Sequence, residues 1–239
     1  MIRIANLWIF LIIVSSGESL SRLNPALSEI IASAYNEQDT LRNNQHLYTG
    51  RVWVNNYRRI DGDPFLFVSY FLPGTVSVNG KTYRNLILRY DIHNDELMIP
   101  VSLEDIVQLN KEMVDSFSLN FENKTYKFVK MPDDSLNVIT GFFHIPYDRQ
   151  SALYIKYKKY LLPGITDKSD GEFVQTQTAY LVKNNTFYKI KTKNSLFRAL
   201  NLSKSQVRNY LRENRVKIKK DFPESYVPVI RLSDDLINK

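Results

Sequence analysis

Basic side chains are concentrated near the end of this 239-residue chain. Residues 189–220 contain eleven Lys or Arg and a single acidic residue, Glu213, which gives the segment a formal charge of +10. The whole chain carries +7, so the remainder is acidic by three charges. The residues predicted to contact an anionic group are Lys204, Arg208, Arg212, Arg215, Lys217 and Lys219. The first four are spaced by four, four and three residues, which predicts one shared helix face.

The other residues with catalytic or metal-binding potential are scattered. His46, His93 and His144 are far apart, and none has a second ligand at metal-site spacing. The acidic loops at 61–63 and 167–172 are interpreted as turns, because the second departs from the calcium-loop pattern. Each histidine is interpreted as a structural residue of a turn or strand.

Two absences in the sequence narrow the chemistry further. The chain has no Cys, which excludes disulfides, thiolate catalysis and cysteine-based metal sites. It also lacks Gly-x-Ser-x-Gly and His-Glu-x-x-His. We therefore predict no catalytic residue, no metal ligand and no cofactor from the sequence.

The first 21 residues have the layout of a secretory signal peptide. A short start containing Arg3 precedes eight apolar residues at 7–14, and a small, polar stretch follows at 15–21. This apolar run is too short for a membrane-spanning helix, which needs about 20 residues. We expect cleavage between Gly17 and Ser21, which leaves residues 22–239 as one β-rich domain without a transmembrane segment. A bacterial periplasmic or outer-membrane-associated location fits an exported chain without disulfides.

Export restricts the partners that the basic residues can meet. Nucleic acid matches their charge but not an exported protein, whereas lipid phosphates, lipopolysaccharide or an acidic envelope protein match both. The alternative interpretation is an ordinary solvated helix face opposite Val207 and Leu211.

Residues 47–191 alternate between apolar and polar side chains, as β-strands do. Asn79-Gly80 separates two such runs, and this pair is the strongest short signal for a hairpin. In the strand that follows, Leu86, Leu88 and Tyr90 are predicted to face the protein interior. About ten strands are expected, in an antiparallel meander that forms an open barrel or a two-layer sandwich.

Helical spacing appears at both ends of the mature chain. An Asn-Pro pair at 24–25 predicts an N-terminal helix over residues 25–37. Near the other end, Ser195 is expected to cap a short helix, and Ser203 with Gln206 matches a capping box that opens a second. The fold class is thus mainly β, with an N-terminal helix and residues 194–239 as a short, basic, helical appendage.

Two prolines complicate the last part of this appendage. Pro223 and Pro228 interrupt the pattern, so that residues 226–232 are expected to form at best an edge strand. A final short turn of helix is expected to start at Ser233.

Several segments together resemble a family of exported proteins. They are Leu47-Tyr-Thr-Gly-Arg51, Gly62-Asp-Pro-Phe65, Gly74 to Pro100 with its Tyr90-Asp91 and Asp95-Glu96-Leu97, Phe187-Tyr-Lys-Ile190, and the basic tail through Asp235. In their order they resemble an uncharacterised family of β-rich envelope proteins from Gram-negative bacteria. The resemblance implies an envelope location and a β-rich fold. It implies no activity and no functional residue.

Three functional hypotheses follow from the sequence. The first is a non-enzymatic binding or scaffolding protein of the cell envelope that contacts an anionic partner through the basic residues. The second is a carrier of an apolar ligand within the curled sheet, lined by Tyr and Phe. The third is an envelope hydrolase whose acidic site is assembled by the fold.

Overall fold

The structure, a computed structural model, describes residues 47–102, 105–131, 139–164, 170–184 and 186–237. The strands are β1 (Gly50–Val52), β2 (Ile60–Asp61), β3 (Leu72–Val78), β4 (Lys81–Asp91), β5 (Glu96–Pro100), β6 (Ile106–Leu109), β7 (Val114–Phe121), β8 (Lys124–Met131), β9 (Gly141–Asp148), β10 (Ser151–Pro163), β11 (Gly171–Lys183) and β12 (Thr186–Ile190). The α-helices of this part are α1 (Lys193–Ala199), α2 (Lys204–Glu213) and α3 (Val227–Ile237). Single 3₁₀ turns span Lys111–Met113 and Pro223–Tyr226. The predicted signal peptide, the predicted helix at 25–37 and His46 lie outside the described residues.

The predicted mainly β fold is confirmed, and its hairpins follow from local turn chemistry. Asn79 and Gly80 join β3 to β4 with φ of 48° and 75°, values that Asn and Gly adopt at little cost. Leu86, Leu88 and Tyr90 of β4 are buried, as predicted from the alternation. The hairpin turns therefore set the register that turns these side chains inward.

Most neighbouring strands in the sheet are also neighbours in the chain. The order is β1-β6-β5-β4-β3-β7-β8-β9-β10-β11-β12, and the short β2 pairs in parallel with β11. All other pairs are antiparallel. The described part of the chain thus forms one open, antiparallel-dominated sheet.

The sheet is strongly curled, because two strands that are distant in its order come into contact. Five steps separate β4 from β10 in the strand order, a distance of about 24 Å in a flat sheet with strands ~4.8 Å apart. Nevertheless, the Lys159 amide of β10 donates a hydrogen bond of 3.2 Å to the Ile92 carbonyl at the end of β4. The curl places one face of the sheet inside.

The segment between β2 and β3 covers the point where β4 meets β10. Its Leu66 amide donates to the Tyr90 carbonyl, and its Pro64 carbonyl accepts from the Ile92 amide, both at 2.9 Å. The Lys159 ammonium donates to the Phe65 carbonyl at 2.7 Å. The backbone groups at this contact therefore have partners, as burial requires.

Aromatic rings fill the space inside the curl. Phe117 and Phe128 stack with centroids 4.6 Å apart, and Tyr90 and Phe142 meet Phe117 edge-on at 5.0 and 5.1 Å. All four side chains are at most 3% exposed. Burial of each ring contributes about 2–3 kcal/mol, with a further ~1 kcal/mol for each well-oriented pair.

Asp95, in the turn between β4 and β5, ties several strands together. Its carboxylate lies 2.9 Å from the Lys156 ammonium of β10 and 2.7 Å from that of Lys111, which follows β6. It also accepts hydrogen bonds from the Tyr90 hydroxyl and, at 3.4 Å, from the Phe142 amide of β9. Burial by itself raises the pKa of Asp95, but the two ammonium groups and the Tyr90 hydroxyl outweigh it, so that the pKa lies below its ordinary value.

The prediction of an edge strand at 226–232 is wrong, because α3 occupies this region. Pro228 is the second residue of the helix, where its missing N–H removes no helical hydrogen bond. Val229 and Ile230 of α3 are fully buried. Pro228 thus lies at the start of a helix, whereas the sequence pattern indicates that it interrupts a strand.

Replacement of Asp95 by Asn should destabilise the protein by about 3 kcal/mol, since it leaves two partly buried ammonium groups without their carboxylate. Urea denaturation at pH 7 measures the change. The control is Glu112→Gln, which breaks the pair with Lys130 through a carboxylate that is 74% exposed, and should destabilise the protein much less than Asp95→Asn does.

The difference between Asp95→Asn and the wild type should shrink as the pH falls below 3.8, the ordinary pKa of aspartate. A lowered carboxylate pKa stabilises the fold above that pH, and the stabilisation disappears as the native carboxylate is protonated. Equal losses in the Asp95 and Glu112 variants at pH 7 would show that Asp95 does not hold the sheet.

Candidate functional site

Helix α2, which carries half of the predicted binding residues, is fixed by a capping box and one buried side chain. The Ser203 hydroxyl accepts from the Gln206 amide at 3.2 Å, and the Gln206 side chain accepts from the Ser203 amide at 2.9 Å. This confirms the predicted capping box. Val207 is 1% exposed and anchors the helix to the core. In α1, by contrast, Thr192 is the N-cap and Ser195 is the reciprocal residue of the box, so the predicted cap at Ser195 is wrong.

The structure places three of the predicted residues on one face of α2. Lys204, Arg208 and Arg212 follow one another on successive turns, and all three side chains are exposed. Arg215 does not continue this face, because the helix ends at Glu213 and Arg215 has a φ of 53°. The predicted four-residue helix face is therefore corrected to three residues, with Arg215 exposed in the turn beyond.

Lys217 and Lys219 lie in the segment that links α2 to the 3₁₀ turn. They flank Ile218, which is 7% exposed, so the buried isoleucine turns both lysines towards solvent. The Ser225 hydroxyl accepts from the Lys219 amide at 2.9 Å and fixes the backbone. We call the six exposed residues the basic face: Lys204, Arg208, Arg212, Arg215, Lys217 and Lys219.

Within the described ranges, no carboxylate forms an ion pair with any residue of the basic face. Two acidic residues that follow the face in the chain, Glu224 and Asp234, are instead turned inward. These two carboxylates thus lie inside, whereas the cations of the basic face and the carboxylates of Glu213 and Asp221 are exposed.

Glu224 attaches the 3₁₀ turn to the sheet. Its carboxylate forms an ion pair with the Lys124 ammonium of β8, and its other oxygen lies 3.2 Å from His144 Nε2 of β9. His144 Nδ1 lies 3.0 Å from the Lys127 carbonyl, an acceptor, so Nδ1 carries the ring proton. Burial, reinforced by the Lys124 ammonium, lowers the pKa of His144 to about 4, so the ring is neutral at pH 7.

Asp234 attaches α3 to the hairpin of β9 and β10. Its carboxylate accepts from the Tyr147 hydroxyl at 2.9 Å and from the Ser151 amide at 3.1 Å. Burial, together with Asp234, raises the pKa of Tyr147 to about 12, so that the hydroxyl keeps the proton it donates. Two buried carboxylates that follow the basic run in the chain thus hold the carboxy-terminal part of the protein to the sheet.

The remaining sequence candidates have structural partners. The His93 ring lies edge-on to Tyr57 and Phe173, and its Nδ1 is 3.0 Å from the Lys159 carbonyl. Asp63 closes a turn by accepting from the Phe65 amide at 2.8 Å. No group of three or more His, Asp or Glu suited to a metal ion occurs in the ranges that the structure describes. Residues 165–169 of the second acidic loop lie outside those ranges.

Two clefts on the surface of the described residues have charged linings. One, of about 530 Å³, is lined by residues that include Arg51, Glu96, Gln108 and Lys111. The other, of about 500 Å³, lies between β11, the end of β12 and the chain after α2, and its lining includes Lys189, Lys191 and Lys220. These three lysines belong to the basic run but not to the predicted site. For Lys189 and Lys191, the sequence signal is the two-residue alternation at the end of β12, which places both residues on the same side of the chain.

The fold and site define a mainly β protein with an exposed basic face near its carboxy terminus. No helix among the described residues is both long and apolar enough to cross a membrane. No family model, curated protein or solved structure matches the chain. The resemblance to exported envelope proteins therefore remains a prediction.

Replacement of Glu224 by Gln should destabilise the protein by about 1–2 kcal/mol, because Lys124 loses its partner but is exposed enough to be hydrated. Hydrogen exchange should accelerate in residues 217–237 more than in β3 and β4, since the lost pair joins this segment to the sheet.

The control is Glu213→Gln on α2, which removes an exposed carboxylate without a partner among the described residues and should change stability by less than about 0.5 kcal/mol. Uniform acceleration of exchange along the chain in Glu224→Gln would contradict a local attachment.

Proposed function

We propose that this protein is an exported, non-enzymatic binding protein of the bacterial cell envelope that docks on anionic lipid phosphates through the basic face. One observation carries the proposal: six exposed cations without a carboxylate partner among the described residues. Unneutralised cations on a fixed surface attract anions over a Debye length, about 8 Å at physiological salt.

The layout of the basic face favours a lipid surface over a compact anion. Its residues are spread along α2 and the chain that follows, whereas the clefts are lined by other lysines. Phe222, whose backbone bridges to Lys219, leaves 48% of its surface exposed. An exposed aromatic ring beside lysines is typical of proteins that insert into the interface of an anionic bilayer.

The alternative functions have less support. Rings of Tyr90, Phe117, Phe128 and Phe142 occupy the space that an apolar ligand would need. The buried carboxylate of Asp95 is paired with two lysines, which leaves it no free acid or base function. We further propose that the curled sheet is an open barrel, since one continuous sheet supplies its walls. A periplasmic or outer-membrane location is part of the same proposal.

Reversal of three charges on the basic face tests the docking. The variant Lys204→Glu/Arg208→Glu/Arg212→Glu should bind vesicles of phosphatidylglycerol and phosphatidylcholine (1:1) at least 100-fold more weakly than the wild type, since each basic residue near the surface contributes about 1 kcal/mol. Co-sedimentation in 50 mM NaCl measures the binding, and Phe222→Ser should weaken it by a smaller factor.

The matched control, Lys81→Glu/Arg84→Glu/Lys127→Glu, makes the same change of net charge at exposed positions of the sheet. It should retain most of the binding. Equal losses in the two triple variants would reduce the effect to net charge, and an absence of wild-type binding would overturn the lipid proposal in favour of an acidic protein partner.

A further inference from the structure

Strand β11, the next-to-last strand in the sheet order, has an open edge along the middle of its length. Along one side it pairs with β10 over its whole length, from Gly171 to Lys183. On the other side it pairs with β2 at residues 171–172 and with β12 at residues 179–183. Between them, residues 173–178 have no strand partner on that side in the part of the chain that the structure describes.

The hydrogen-bonding pattern shows which backbone groups face this open edge. The Lys159 amide of β10 points away from β11, since it donates to the Ile92 carbonyl. Gln175 lies directly opposite Lys159. In an antiparallel pair, the N–H and C=O groups of two opposite residues point either towards each other or away from each other. Gln175 and, by alternation, Gln177 therefore direct their N–H and C=O groups to the open edge.

The second cleft runs along this edge. Its volume is about 500 Å³, and residues 175–179 of β11 form one wall. Lys189 and Lys191 border it from the end of β12, and Lys220 borders it from the chain after α2. Asp221 is the only carboxylate in the cleft lining among the described residues. The cleft thus combines unpaired strand backbone with an excess of positive charge.

We propose that this cleft binds an extended, acidic segment of a partner protein, which adds to the edge of β11 as a short strand between β2 and β12. Donors and acceptors that alternate at strand spacing match the backbone of another extended chain, which is the basis of recognition by strand addition. The three lysines select acidic side chains on that segment. A lipid headgroup supplies oxygen acceptors but not the alternating N–H donors.

The open stretch limits the length of the bound segment. Residues 173–178 span about 20 Å at ~3.3 Å per residue, which accommodates about six residues of an extended chain. The strand-addition site and the basic face have no residue in common, so each is tested without the other.

A labelled seven-residue peptide that alternates Glu with Val is the direct probe. Fluorescence anisotropy should detect its binding to the full chain, and the same peptide with Lys in place of Glu should bind at least tenfold more weakly. N-methylation of alternate amides keeps every charge but blocks backbone pairing, and should weaken binding by about tenfold or more, the equivalent of one or more lost hydrogen bonds.

Variants at Gln175 test the same edge from the protein side. Gln175→Pro removes an outward-facing amide, a change that an edge position tolerates, and should weaken peptide binding by about tenfold. Gln175→Thr keeps the amide and should bind within twofold of the wild type. Lys189→Gln/Lys191→Gln/Lys220→Gln should lose at least tenfold, whereas Lys204→Glu/Arg208→Glu/Arg212→Glu should retain more of the binding than this lysine variant.

Equal binding of the N-methylated and unmodified peptides would overturn strand addition and leave only charge attraction. Absence of any acidic-peptide binding, or equal affinity for the Lys peptide, would also overturn the proposal. Vesicle binding by Gln175→Pro separates this result from the lipid proposal, because that variant should dock on vesicles as the wild type does. Far-ultraviolet circular dichroism verifies that the variant is folded.

Discussion

The structure depends on one constraint: a carboxylate leaves water only where cations or hydrogen-bond donors replace its hydration. Asp95 meets this requirement with Lys111, Lys156 and Tyr90, which come from different parts of the sheet. The contact therefore forms only when the sheet is curled. Glu224 meets the same requirement with the Lys124 ammonium of β8, and Asp234 meets it with the Tyr147 hydroxyl of β9 and the Ser151 amide of β10. Both carboxylates hold the carboxy-terminal segment to the sheet.

The exposed cations of the basic face belong to the same part of the chain as these buried carboxylates. Glu224 and Asp234 are used inside, and the six cations of the basic face have no carboxylate partner among the described residues. The same packing shapes the second cleft, where the chain after α2 approaches the open edge of β11. The carboxy-terminal part of the chain is thus attached to the sheet by buried carboxylates and exposes most of its cations.

Sequence patterns correctly predicted those structural features that depend on a few adjacent residues. The Asn79-Gly80 turn, the alternation of β4 and the capping box at Ser203 each depend on a few adjacent residues, and all three are confirmed. The end of α2 before Arg215 was not predicted. The helix that includes Pro228 was not predicted either, because proline suits the first turn of a helix as well as an interruption. The ion pair of Asp95 with Lys156 joins residues that are 61 positions apart, and one sequence carries no signal for it. The exposure of the basic residues followed from their type, whereas their separation from carboxylates required the fold.

The central claim is that unneutralised cations on the basic face bring this protein to an anionic surface. Partitioning of the wild-type chain onto phosphatidylglycerol-containing vesicles across a series of NaCl concentrations tests it most directly. The account predicts that the logarithm of the partition coefficient falls steeply with the logarithm of salt concentration, and that purely phosphatidylcholine vesicles retain little protein. Partitioning that is independent of salt, or equal on the two kinds of vesicle, would contradict it.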